Sequence, residues 1–184
     1  MQRVIGGLLI LTATGGAGYV YGKELKRYLG RLLYFRYVMS LIKGEIAYTH
    51  APLPEIFSEV ARRVKEPYDR WLIRTAAEME KRDEYGFARM WNRCVDRYLG
   101  ELNLKYEHSI LVKEPGTFLG SLEKDTLDHA LQMYLNKVDL EIEKLREGLA
   151  SKIRVGGCLG VMSGVFLIVI LLLLWRKHEY KSAF

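Results

Sequence analysis

Four histidines, His50, His108, His129 and His178, are the residues of this 184-residue chain best able to move a proton or hold a metal. None lies in a HExxH or related pattern, which would put two imidazoles one turn apart on a helix face. Asp125 and His129 stand four apart on a predicted helix and could share a cation. A surface polar pair is the commoner meaning of that spacing. Cys94 falls beside Trp91 and Tyr98 on an apolar face, where a thiol packs as a small hydrophobe and stays protonated. Glu78, Glu80, Asp83 and Glu84 alternate with Lys81 and Arg82, the pattern of a solvated helix end. No G-x-x-x-x-G-K-[ST] phosphate loop, no GxGxxG and no GxSxG elbow occurs. The twelve tyrosines and three tryptophans are scattered along helical faces and read as core and interface belt. The expectation is a protein with no catalytic residue, no metal and no cofactor, which is not an enzyme.

Two charge-free stretches frame everything else. Val4 to Gly22 runs 19 residues without a charge, and Val155 to Trp175 runs 21. A helix needs about 20 apolar residues to cross a hydrocarbon core. The expected organisation is therefore an N-terminal transmembrane helix over 1–22, a soluble helical domain over 23–154, a C-terminal transmembrane helix over 155–175 and a short basic tail over 176–184. The net charge is +6, but 23–154 holds 24 basic against 21 acidic residues. Part of the excess flanks the apolar stretches, so nucleic acid is a poor partner. Eleven Lys and Arg lie close to the stretches on the domain side, among them Lys23, Arg27, Lys144 and Arg154, and four lie beyond them. That bias predicts a two-pass protein with its domain in the cytoplasm. The alternative is a cleaved signal peptide, with Gly15-Gly16-Ala17 as the cleavage site, leaving an extracytoplasmic, C-terminally anchored binding module. The two cysteines, Cys94 and Cys158, do not form a disulfide framework. Small residues recur every fourth position at Thr14, Gly18 and Gly22, and again at Gly156, Gly160 and Gly164. That spacing lets helix backbones approach closely in lipid, within the protein or between copies.

The fold class expected is all-α, a six-helix bundle whose first and last helices continue into the two spans. Leu25, Leu29, Leu32, Phe35, Met39, Ile42 and Ile46 recur at spacings of three and four, one apolar stripe carrying the first helix to about Tyr48. Thr49 to Pro54 breaks it, and Pro54 suits the opening turn of a second helix over Leu53–Val64. Glu66-Pro67 is the next break. A third helix over Tyr68–Arg82 buries Trp71, Leu72, Thr75 or Ala76, and Met79. A fourth carries Phe87, Met90, Trp91, Cys94, Val95, Tyr98 and Leu99 to a stop at Gly100. The fifth begins near Lys105 and ends or kinks at Pro115-Gly116. Ser121 offers an N-cap to a long last helix striped by Leu127, Leu131, Tyr134, Leu135, Val138, Ile142, Leu145 and Leu149.

Two motifs carry a resemblance. Leu41 to Glu55 reads L-I-K-G-E-I-A-Y-T-H-A-P-L-P-E, in which Glu45, Ile46, Tyr48, Pro52, Leu53, Pro54 and Glu55 match the pattern L-x-x-E-I-x-Y-x-x-x-P-L-P-E. Gly116, Leu119, Gly120 and Asp125 resemble an F-G-x-x-L-G-x-x-D region. The chain resembles the stage III sporulation protein AB family over essentially its whole length. That family is similar to the helical cytoplasmic domains of type II secretion F and type IV pilus platform proteins. The resemblance implies a membrane-anchored scaffold of a sporulation channel between mother cell and forespore. Its implied partners are a secretion-type ATPase, stage III sporulation AA-like, and the other stage III A channel proteins. Glu45, Tyr48, Pro52, Leu53, Pro54 and Glu55 are the candidate contact residues, because their turn projects at the far end of the first helix.

Overall fold

The structure, a computed structural model, describes residues 2–49, 51–81, 86–120 and 124–182. The helices are α1 (Gln2–Tyr48), α2 (Leu53–Ala61), α3 (Tyr68–Glu80), α4 (Phe87–Tyr98), α5 (Tyr106–Lys113) and α6 (Lys124–Ser182). Two 3-10 turns, Gly100–Leu102 and Glu114–Thr117, follow α4 and α5. Contacts divide the chain into one unit of Gly30–Glu143 and a second of Met1–Leu29 with Lys144–Phe184.

The Gly30–Glu143 unit is built on the stripes that periodicity predicts. Leu32, Phe35, Met39, Ile42 and Ile46 of α1 are buried, as are Ile56, Phe57, Val60 and Ala61 of α2. Leu127, Leu131, Tyr134, Leu135, Val138 and Ile142 form the inward face of this unit's part of α6. At the centre Trp71 and Trp91 meet edge to face, ring centroids 4.9 Å apart at 73°. Phe35 packs on Trp71 at 6.1 Å, and Phe57 and Phe87 pack on Trp91 at 6.0 Å each. Tilted and T-shaped pairs of this kind are worth about 0.5–1.5 kcal/mol each beyond the area they bury.

Polar bonds fix the corners. The Trp91 Nε1–H donates to the Val112 carbonyl at 3.2 Å, and the Tyr134 hydroxyl donates to the Leu111 carbonyl at 2.8 Å. Tyr68 donates to the Arg31 carbonyl at 2.8 Å, while Tyr34 accepts from the Lys65 N–H at 2.8 Å. The Arg31 guanidinium donates to the Leu102 carbonyl at 2.9 Å, tying the first 3-10 turn to α1. Arg36 forks onto Asp139, both bonds 2.9 Å, and Lys43 pairs with Asp128 at 2.9 Å. Asn103 takes the left-handed conformation, φ 46°, that ends that turn, a region asparagine tolerates better than most residues.

The expectation of two membrane-spanning helices, and with it that of a two-pass membrane protein, is corrected here. Among the described residues, no helix is long and apolar enough to cross a membrane. Freedom from charge is a weaker property than apolarity. Gly6, Gly7, Thr12, Thr14, Gly15, Gly16, Gly18 and Gly22 dilute the first stretch. Most side chains of both lie outside those described.

Candidate partner-binding turn and the sporulation family

The first motif spans the α1–α2 corner. Helix α1 closes where the N–H and the hydroxyl of Thr49 both donate to the Glu45 carbonyl at 2.8 Å. Pro52 then sits in the extended region and its carbonyl accepts from the Glu55 and Ile56 N–H groups at 3.0 and 3.2 Å. That places Pro54 in the first turn of α2, where the missing N–H costs nothing. The short helix is amphipathic and turns Ile56, Phe57 and Val60 into the core. Glu55 adds a negative charge to the first turn, where the helix dipole favours it.

The six predicted contact residues divide by role. Glu45 is only 17% exposed and pairs with Arg63 at 2.8 Å. Arg63 also meets Glu59 at 3.1 Å, so one guanidinium ties the end of α1 to α2. The Glu59 hydrogen bond and then the Glu45 charge raise the Arg63 pKa above its ordinary value. Pro52, Leu53 and Pro54 shape the turn. Tyr48 stands 89% exposed, and Glu55 is exposed with no ion pair among the described residues. Tyr48, Pro52 and Glu55 are thus the members of the motif that the fold leaves to solvent, and of these Tyr48 and Glu55 carry side chains able to anchor or select a partner. His50, within the same turn, lies outside the described residues.

The second motif is a packing device. Gly116 is buried in the second 3-10 turn, and a Cβ there would come within 2.7–2.9 Å of the Trp91 side chain. A Cβ on Gly120 would collide with Phe87 in the same way. Leu119 is buried, and its N–H and that of Phe118 donate to the Pro115 carbonyl at 2.9 and 3.2 Å. The Asp125 side chain lies outside those described.

Both motifs therefore have local physical reasons, and the comparisons agree with their joint occurrence. The family model of the stage III sporulation protein AB matches residues 3–172. This chain belongs to the stage III sporulation protein AB family. A member from Bacillus subtilis (strain 168), stage III sporulation protein AB, is 19% identical over 172 residues, covering 94% of this chain and all of that protein. A solved structure of a stage III sporulation protein AB superimposes with a TM-score of 0.57 at 16% identity, covering 65% of this chain and 94% of that one. At that identity the superposition speaks for the fold. Membership of the family ties the chain to sporulation.

The remaining candidates fall as follows. Cys94 is buried against the Met90 sulfur at 3.9 Å, and burial pushes its thiol pKa up, so it is held as the neutral form. His129 is exposed. Among the described residues no group of three or more His, Cys, Asp or Glu could hold a metal ion. Of the small-residue series, Gly22 and Gly164 are buried, whereas the surroundings of Thr14, Gly18, Gly156 and Gly160 lie outside the description. Sequence reasoning missed Arg63, whose partner Glu45 lies 18 residues away and shares no periodic pattern with it. It also missed two further surfaces. One is the α4 face with Arg89, Arg93 and Arg97; the other is a cleft of about 300 Å³ between α5 and α6.

Proposed function

We propose that this chain is a non-enzymatic scaffold subunit of a sporulation channel complex resembling a secretion machine, and that it receives a secretion-type ATPase at the α1–α2 turn. The observation that supports this most is the division of labour inside the family motif. Glu45, Pro52 and Pro54 are consumed in building a rigid corner, and that corner holds Tyr48 and Glu55 out to solvent. An exposed tyrosine beside a carboxylate suits an interface, since an aromatic anchor contributes area at low entropy cost while the charge selects a basic partner. The mechanism is mechanical: the helical unit holds the turn in place and the docked ATPase transmits work through it. The stage III sporulation AA-like ATPase is the expected partner, with the other stage III A proteins completing the assembly.

Pulldown of the tagged chain from sporulating cells, followed by mass spectrometry, tests the reading. The ATPase should co-purify, and Tyr48→Ala with Glu55→Lys should lose it while helical circular dichroism stays unchanged. An ATPase retained by that double variant, or absent from the wild-type pulldown, would overturn the assignment.

A further inference from the structure

Helix α1 carries an uncharged stripe on the side away from its core. Gly30, Tyr34, Tyr37, Leu41, Gly44 and Tyr48 recur at spacings of four and three, within an arc of about 80° on the helix. Phe35, Met39, Ile42 and Ile46, all buried, occupy the opposite side. A helix with one face in the core ordinarily sets charged residues on the other. Here the charges fall at the flanks instead, and each is met within the chain. Arg36 pairs with Asp139, Lys43 with Asp128 and Glu45 with Arg63. The stripe itself is open: Tyr37 is 44% exposed, Tyr48 is 89% exposed, and Gly30 and Gly44 are exposed. Tyr34 stiffens it, with its ring 5.7 Å from that of Tyr37 and its hydroxyl accepting the Lys65 N–H. Gly44 answers to nothing in the fold. A Cβ there would meet no atom within 4 Å, and a glycine inside a helix weakens it. Between Leu41 and Tyr48 it leaves a gap where a second helix can come close, at about 8 Å between axes.

We propose that the ATPase assigned to the α1–α2 turn docks through an amphipathic helix laid along this stripe from Tyr48 to Tyr37, an inference that rests on that assignment. The distance from Tyr37 to Tyr48 is about 16 Å, three turns of a partner helix, enough for apolar anchors on one face at i, i+3 or i+4, and i+7. Its bulkiest anchor fills the gap at Gly44, and a basic residue at its end meets Glu55. Tyr48 belongs to the turn and to the stripe, so the two form one continuous surface. A second copy of this chain is the poorer occupant, because the stripe holds no cation to set against Glu55.

Titration of the purified ATPase against the purified full chain tests this. Gly44→Leu, which fills the gap, and Tyr37→Glu, which charges the stripe, should each weaken binding by about tenfold or more while helical circular dichroism is kept. Neither residue lies in the turn, so the two assignments separate. Binding that is lost in Tyr48→Ala with Glu55→Lys but kept in Gly44→Leu and Tyr37→Glu would overturn this proposal and leave the turn standing. A wild-type chain that does not bind the ATPase would overturn both. Gly44→Ala should raise the thermal midpoint, because the glycine serves the partner and not the fold. A lowered midpoint would overturn that role. Sedimentation of the chain alone completes the test: a wild-type dimer abolished by Gly44→Leu would give the stripe to a second copy and overturn the proposal.

Discussion

Gly116 shows how little freedom a single position can have. The Trp91 side chain occupies the place a Cβ would take, and Trp91 is itself pinned by its bond to Val112 and by three aromatic neighbours. Gly116→Ala should therefore destabilise the protein by about 1–3 kcal/mol, the usual cost of overpacking, read as a lowered denaturation midpoint. Tyr134 offers a second test. Burial, and secondarily the Glu114 charge, raises its pKa well above 10 in the folded protein. Above pH 10 the unfolded phenol loses its proton while the folded one keeps it, so the unfolded state binds fewer protons and stability falls with rising pH. That contribution is intact below pH 10 and fades above it. Tyr134→Phe should flatten the alkaline decline, and below pH 10 it should cost about 1–2 kcal/mol for the stranded Leu111 carbonyl. Alkaline denaturation curves of the two proteins settle the matter.

At the level of elements, the amphipathic stripes were legible because helix burial repeats at the spacing the residues show. The predicted face of α1 beyond Leu32 is the buried face found, and the proline breaks at Pro52-Leu53-Pro54 and Glu66-Pro67 fall where predicted. What joins one element to another was not legible. The Arg36–Asp139 pair is 103 residues apart in sequence, and His108 of α5 is buried although Ile110 beside it is half exposed. Long-range ion pairs leave no periodic trace, and a helix of only eight residues has too few turns to declare its inner face. The site was legible as a motif but not in its division of roles, because only the Arg63 pair separates Glu45 from Glu55. Two substitutions in one corner should accordingly behave differently. Glu45→Gln removes a partly buried ion pair and should lower the thermal midpoint slightly, within the loss of about 1 kcal/mol usual for such pairs. Glu55→Gln breaks no ion pair and should cost only about 0.3 kcal/mol, the lower end of an exposed helix-dipole interaction. Calorimetry on the two variants distinguishes corner-building from surface presentation.

On the scale of the molecule, almost every buried side chain described belongs to Gly30–Glu143. A segment with its own aromatic core and its own corner bonds meets the requirements for folding alone. Residues 30–143, produced as a separate fragment, should give helical circular dichroism and one cooperative melting transition, with an unfolding enthalpy of about 80 kcal/mol for a unit of this length. A broad, non-cooperative melt would show that the remaining helical segments are needed to complete the fold. The same fragment brings an optical consequence. Its only indoles are Trp71 and Trp91, both shielded from solvent and edge to face at 4.9 Å. Such a couple emits as a dry, excitonically interacting pair and turns into two hydrated fluorophores once the core opens. Its intrinsic emission is thus a built-in gauge of the core's integrity, one that could be followed through docking and assembly without any attached label.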